Sequence, residues 1–292
     1  MKLAAVVVWF NPDQNCVENI KSYISLVDKI YIIDNSSKNN QFLIEKVSNS
    51  EKIKYIANNE NLGIAYALNI GCKMAVNSDF EWVMTMDQDS FWTENELKKY
   101  IFLIETKESD IVSFSPNCKI SKKAAIMLQI YHKIRNKKVN DECVSKEKLC
   151  DMVITSGNIL KLKVWQEVNG FNNSLFIDEV DYDFCFKIRE HGYKILKINE
   201  VNMEHSLGNP RMYFFPCVSY HTGIRIYYIN RNLIYMLHYH KQYAEKNGYK
   251  IIKHWRVLEL LFNLRLRDLI FLIKGRLDAK KGHFGSYESL HR

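Results

Sequence analysis

Residues 81–90 read EWVMTMDQDS, an apolar run that ends in two carboxylates one residue apart, Asp87 and Asp89. In extended backbone successive side chains alternate faces, so these two project to the same side and can hold a hard cation together. A cation gripped by only one or two protein carboxylates keeps open positions, and phosphate oxygens suit them. Asp-x-Asp also arises at strand ends with no metal duty, so the weight of the pair depends on its surroundings.

Upstream lie three further runs rich in Val, Ile and Tyr: LAAVVVWF at 3–10, KIYIID at 29–34 and KIKYIA at 52–57. Helical stretches near 15–27, 40–48 and 63–77 separate them. Strands that alternate with helices and are apolar on both faces predict a mostly parallel sheet covered by helices. Ligands of such sheets bind beyond the carboxyl ends of the strands, which gathers Asn11, Asp34, Asn61 and Asp87 to Asp89 on one rim. Downstream, the spacing predicts a strand at 110–115 (DIVSFS), then a polar, Lys-rich excursion from about 117 to 150. DMVITSGNIL at 151–160 reads as a strand ending in a Ser156-Gly157-Asn158 turn, followed by a helix near 161–168 that stops at Gly170. NSLFIDEVDYDFCFKIREHGYKI holds a helix with acidic residues near its start, and from about 221 the chain turns to long helical stretches rich in aromatic and basic residues.

A chain of 292 residues that is 47% hydrophobic has the material for one large α/β domain, with or without an appended helical region, and is not disordered. Its formal net charge of +8 favours an anionic partner: a phosphate-bearing substrate, a membrane surface or nucleic acid. The seven cysteines are scattered with no Cys-x-x-Cys spacing for zinc, which fits reduced thiols in a cytoplasm. MKLAAVVVWFNP reads as a first strand rather than a signal peptide, and no run approaches the ~18 apolar residues of a spanning helix.

The segments at the strand ends, in order, are VVVWFNP, IIDNSS, NENLGIAYALNIG and MTMDQDS, followed later by TSGNIL, FIDEVDYDFCFKIREHGYKI, HSLG and YYINRN. In this order they resemble glycosyltransferase family 2, the inverting enzymes of the GT-A fold, and especially its bacterial rhamnosyltransferase-like branch. The resemblance runs over about residues 3 to 235. It implies an α/β GT-A fold, with a mostly parallel Rossmann-like sheet flanked by helices and a helical C-terminal extension. It also implies a catalytic domain over 1–220, with a nucleotide-sugar half to about 115 and an acceptor half at about 150–220, and a helical region over 221–292.

The resemblance sets Phe10 and Asn11 against the nucleotide base, and Asp34 and Asn35 on the base or ribose edge. It brings Asn61, Gly63, Asp87 and Gln88 to the nucleotide-sugar and makes Asp89, helped by Asp87, the ligand of Mg²⁺ or Mn²⁺. His205 is then a third ligand or a diphosphate contact, and Arg231 holds the diphosphate. Asp181 aligns with the general base, although Val180 stands where the family pattern has an acidic residue. Ser156, Gly157, Asn158, Asp178 and Glu179 fall on the acceptor side, the last two as fallback bases. Without the resemblance, Asp34 is equally an Asx turn, the acidic cluster equally a set of helix-start charges, and His205 or Arg231 equally a structural residue.

The implied activity is metal-dependent, inverting transfer of L-rhamnose from dTDP-rhamnose to a saccharide of a cell-surface polysaccharide, its acceptor carried on a polyprenyl diphosphate. A UDP-sugar donor is the alternative, and a noncatalytic nucleotide-sugar or polyanion-binding module is the rival of a different class. A nucleotidyltransferase would need a Gly-rich, basic loop after the first strand, which WFNPDQN lacks, and no nucleic-acid reading motif is present. Leu258, Leu261, Phe262, Leu266, Ile270 and Leu277 follow helical spacing among many Lys and Arg. Such a face lies on an anionic membrane at the inner side of the cytoplasmic membrane, packs on the catalytic domain, or forms a homodimer.

Overall fold

Leu3–Trp9 forms β1, a strand buried along nearly its whole length and on both faces, which is why it reads as an unbroken apolar run. The structure, a computed structural model, describes residues 1–119, 145–205, 211–212, 218–219 and 221–291. The centre of the Lys-rich excursion and the Ser-Leu-Gly of HSLG lie outside the described residues.

β1 pairs in parallel with β2 (Lys29–Asp34) and with β4 (Trp82–Asp87), and β2 pairs in parallel with β3 (Ile53–Ala57). The connecting helices are α1 (Gln14–Lys21), α2 (Gln41–Ser48) and α3 (Ile64–Asn77). Asp13 caps α1 by accepting from the Asn15 and Cys16 amides, and Asn40 caps α2. Ala65, Ala67 and Gly71 form the buried face of α3, and a Cβ at Gly71 would stand 2.3 Å from Val6 Cγ1. These small side chains therefore let the helix lie close on the sheet.

The rest of the sheet is mixed rather than mostly parallel. Next come β5 (Ser90–Phe91), α4 (Glu94–Glu105), β6 (Ile111–Lys119), β7 (Glu147–Cys150), β8 (Asn158–Lys161), α5 (Leu162–Glu167), α6 (Val180–Glu190) and β9 (Lys194–His205). The strand order is β3-β2-β1-β4-β8-β6-β9-β5, with β7 on β9. β8 runs antiparallel to both β4 and β6, and β6 runs parallel to β9. The strand expected at 151–160 is corrected: pairing begins only at Asn158, after the turn, because Gly157 sits in the left-handed region with φ 74.

By compactness the described residues 1–119, 145–173 and 180–205 form one unit, while 174–179 and those beyond 205 form a second. The second holds a short antiparallel pair, β10 (Arg211–Met212) and β11 (Val218–Ser219). Its helices are α7 (Ile224–Tyr239), α8 (Lys241–Lys246), α9 (Tyr249–Phe262), α10 (Leu266–Lys281) and α11 (Tyr287–Leu290). Helix α10 turns acids inward: Asp278 Oδ2 accepts from the Tyr227 hydroxyl at 2.9 Å, and Asp268 Oδ1 accepts from the Gly223 amide at 2.6 Å. Gly275 sets the approach of α7 to α10, since a Cβ there would lie 2.4 Å from the Tyr227 carbonyl oxygen. That neighbour is backbone and cannot swing aside, so Gly275→Ala should destabilise the helical unit by about 1–3 kcal/mol. A lowered urea midpoint with the fold of the first unit retained is the expected result; an unchanged midpoint would contradict the packing.

Candidate active site

The carboxyl ends of the parallel strands carry the first part of the site. Asp34, fully buried at the end of β2, accepts from the Ser36 amide through Oδ1 at 2.8 Å and from the Tyr55 hydroxyl through Oδ2 at 2.7 Å. Burial, reinforced by the Asp34 carboxylate, pushes the Tyr55 phenol well up, so the hydroxyl stays a donor. Ser36 Oγ accepts from the Asn11 amide at 2.7 Å, tying the β1 turn, where Asn11 has φ 48, to the β2 turn. Asn35 extends the chain of contacts by donating to the Gly63 carbonyl at 3.0 Å and accepting from Asn58 at 2.8 Å. Gly63, at φ 85, donates its amide to Asn61 Oδ1 at 3.1 Å, so the loop before α3 needs glycine for its backbone.

Gln88 joins the β1 and β4 loops. Its Oε1 accepts from the Phe10 amide at 2.8 Å, its Nε2 donates to the Phe10 carbonyl at 3.3 Å, and its own carbonyl accepts from Asn19 Nδ2 at 2.8 Å. Phe10 itself is left 48% exposed, an aromatic face at the rim.

Asp87, Asp89 and His205 each offer a ligand atom, and these atoms lie within 4.8 Å of one another. His205 arrives through the ladder that pairs β5 with β9, which sets Ser90 opposite His205. Its Nδ1 lies 3.4 Å from Asp89 Oδ1 and 2.9 Å from Ser90 Oγ. Ser90 Oγ makes a short contact with Ser156 Oγ, which in turn accepts from the Asp87 amide at 3.4 Å. Two hydroxyls thus orient the histidine and the acid loop from behind. Burial raises the Asp89 carboxyl above its ordinary range, and the neighbouring His205 partly offsets this. Two carboxylates and an imidazole, with no thiolate, fit a hard divalent cation.

The Ser-Gly-Asn turn serves mostly the protein. Gly157 donates to the Thr85 carbonyl at 2.9 Å, and a Cβ on it would fall 2.7 Å from Met203 Sδ. Asn158 is buried and accepts from Ser113 Oγ at 2.9 Å. On α6, Asp183 is fully buried and paired with Lys187 at 2.9 Å, which also donates to the Gly170 carbonyl at 3.2 Å. Asp181, two residues earlier in the same first turn, is half-buried, and its Oδ1 accepts from the Tyr182 amide at 3.0 Å. The acidic cluster is therefore divided between an interior anchor and a carboxylate nearer the surface.

Asp178 and Glu179 group with the helical unit, at φ 64 and 62. There Asp178 Oδ1 accepts from Arg225 at 2.8 Å, and Glu179 accepts from the Tyr249 hydroxyl. Arg231 is corrected. Its guanidinium is buried in the helical unit and donates to the carbonyls of Gly285 at 2.6 Å, Ser174 at 3.2 Å and Leu175 at 2.8 Å and to Asn232 Oδ1 at 2.9 Å, so its charge serves the fold and not a diphosphate. Ser36, Tyr55, Asn58 and Ser90 also belong to the hydrogen-bond network of the rim, and no motif in the sequence singles them out. Only the adjacency of Ser90 to the acid pair, and Tyr55 on the strand beside Asp34, pointed to them.

Residues 6–154 match the family model described as glycosyl transferase family 2. The chain belongs to that family. It is a glycosyltransferase, and the matched span holds Asp34, Asp87 and Asp89 but ends before Ser156, Asp181 and His205. The chain is 25% identical, over 96% of its own length and 92% of the relative's, to dTDP-rhamnosyl transferase RfbF of Shigella flexneri. Among solved structures, S. aureus TarS 1-349 in complex with UDP aligns with TM-score 0.54 and 14% identity over 97% of this chain and 92% of that one. GalNAc-T7 with UDP, GalNAc and Mn²⁺ aligns with TM-score 0.58 and 14% identity over 88% of this chain. This family-2 chain spans only 54% of the GalNAc-T7 chain, and at such identities these two likenesses speak for the GT-A fold alone.

Removal of the hydroxyl that backs His205, by Ser90→Ala, should weaken Mn²⁺ binding by about 10–100-fold, and Asp89→Asn should weaken it at least as much. Because the Asp89 carboxyl is raised, its proton should begin to compete with metal at a higher pH than for an ordinary carboxylate. Calorimetric titration of Mn²⁺ across pH reads both effects; equal affinity in wild type and Asp89→Asn would contradict the assigned ligand.

Proposed function

We propose that this family-2 enzyme transfers L-rhamnose from dTDP-rhamnose, with inversion, to a hydroxyl of a saccharide in cell-surface polysaccharide synthesis. The observation that carries the reading is the Asp87, Asp89 and His205 cluster on the rim that also presents Asp34 and Phe10. The full-length likeness to a protein named a dTDP-rhamnosyl transferase supports the choice of donor. A UDP-sugar is the second reading, supported by the likeness to S. aureus TarS 1-349 in complex with UDP-GlcNAc.

In this reading Phe10 lies against the base, and Asp34, already oriented by Ser36 and Tyr55, accepts hydrogen bonds from the base or ribose edge. Asn61 and Gly63 bring the loop before α3 close to the nucleotide. Asp87, Asp89 and His205 would hold Mg²⁺ or Mn²⁺, which when bound neutralises charge on the departing diphosphate. Asp181 takes the proton of the acceptor hydroxyl as that oxygen attacks the anomeric carbon. The bond from that carbon to the diphosphate oxygen breaks on the opposite face, and the configuration inverts. Ser156 supports the metal loop from the acceptor side, and Asp178 and Glu179 are the fallback bases on the segment that precedes Asp181 in the chain. The enzyme works in the cytoplasm on an acceptor carried by a polyprenyl diphosphate. Five described cysteines form no disulfide, which agrees with a reducing compartment.

Thermal unfolding with dTDP-rhamnose or UDP-sugars, with and without Mn²⁺, tests the donor. The largest metal-dependent rise is expected with dTDP-rhamnose, and no metal-dependent rise with any nucleotide diphosphate would contradict the site. Asp181→Asn should keep that rise but lose about 10²–10⁴-fold in transfer rate. Unchanged transfer in this variant would remove Asp181 as the base and favour the noncatalytic reading.

A further inference from the structure

Helices α9 and α10 differ from an ordinary surface helix pair in carrying apolar side chains outward as well as inward. Their inward faces hold Leu260 and Leu272 with Ile226, but also the charged Arg265, Asp268 and Asp278. Their outward faces are apolar. On α9, Ile251, Trp255, Leu258 and Phe262 fall at helical spacing and are all exposed, Phe262 by 61%. On α10, Leu266, Ile270, Ile273 and Leu277 do the same, Ile270 by 65%. The two helices pack on each other, and the loop between them carries Leu264, 81% exposed. Single exposed apolar side chains are ordinary, but two aligned stripes on adjoining helices call for an apolar partner.

Charge selects that partner. Residues 249–281 contain nine Lys or Arg against three acids. All three acids are engaged inside the unit: Glu259 with Arg256, Asp268 with Arg265, and Asp278 with Tyr227. Lys250, Arg267, Lys280 and Lys281 are exposed beside the stripes. A second copy of this surface would bring the same excess of cations face to face, which opposes self-association. A bilayer interface offers both halves of the complement, acyl chains for the stripes and anionic headgroups for the cations. No described helix is long and apolar enough to cross a membrane, so the pair would lie in the interface plane.

We propose that the outward face of α9 and α10 docks this protein on an anionic membrane surface, with the apolar stripes in the headgroup boundary and the flanking Lys and Arg on lipid phosphates. This inference stands on the helical unit and is independent of the donor assigned to the catalytic unit.

The test is co-sedimentation of the full chain with phosphatidylglycerol-containing vesicles against pure phosphatidylcholine vesicles. Binding to the former, weakened by salt and reduced at least about tenfold by Phe262→Asp with Ile270→Asp, is the expected result. Trp255 supplies a second readout that needs no folded double variant. Brominated lipid should quench its emission in the wild type, and Trp255→Phe should remove the quenched component. Absence of binding to anionic vesicles, or binding with neither quenching nor loss in a folded double variant, would overturn the proposal. So would a dimer in solution that the double substitution dissociates without any vesicle binding in the wild type.

Discussion

Everything at the site depends on the parallel pairing of β1 with its two neighbours. The register that sets Trp9 beside Asp34 and Val8 beside Asp87 delivers an aromatic, a carboxylate and an acid loop to one end of the sheet. Since side chains alternate along strands, a slip of one residue would turn each of these to the wrong face. The register is held by burial: nearly all of β1 and β2 is inaccessible to water, and α3 presses on β1 through Gly71 and two alanines. A core rule thus places the polar rim.

Polar groups brought to such an end must be satisfied, and the way they are satisfied defines their roles. Asp34 is buried and tied to an amide and a phenol, which satisfies its carboxylate and fixes its direction. Asp89 and His205 are held against each other and against Ser90, which is backed by Ser156. The same physics applied to Arg231 gives the opposite outcome. Its donors are spent on carbonyls of the protein, so a full positive charge serves the fold.

Much of the first unit was legible in the sequence because its parallel strands are buried on both faces and bounded by Asn, Asp and Gly. β2 and β4 follow the expected spans 29–34 and 81–87 within a residue. β7 and β8 were not legible, being four residues each, and β7 is only partly covered, with Leu149 exposed. Antiparallel insertion of β8 is a property of long-range pairing that local propensity does not carry. In the candidate site, the residue types Asp87, Asp89 and His205 were visible, but the convergence of His205 across a separation of 115 residues from Ser90 came from the ladder between β5 and β9. Arg231 was misread for the same reason: its carbonyl partners stand at 174, 175 and 285 in the chain.

The central claim is that Asp87, Asp89 and His205 hold a divalent cation against the phosphates of a nucleotide diphosphate. The most direct measurement is Mn²⁺-induced relaxation of the ³¹P resonances of dTDP bound to the protein. Strong broadening of both phosphorus signals is expected in the wild type, with its loss in His205→Ala and Asp89→Asn at matched nucleotide occupancy. Broadening that persists undiminished in both variants, or nucleotide binding with no broadening in the wild type, would contradict the account.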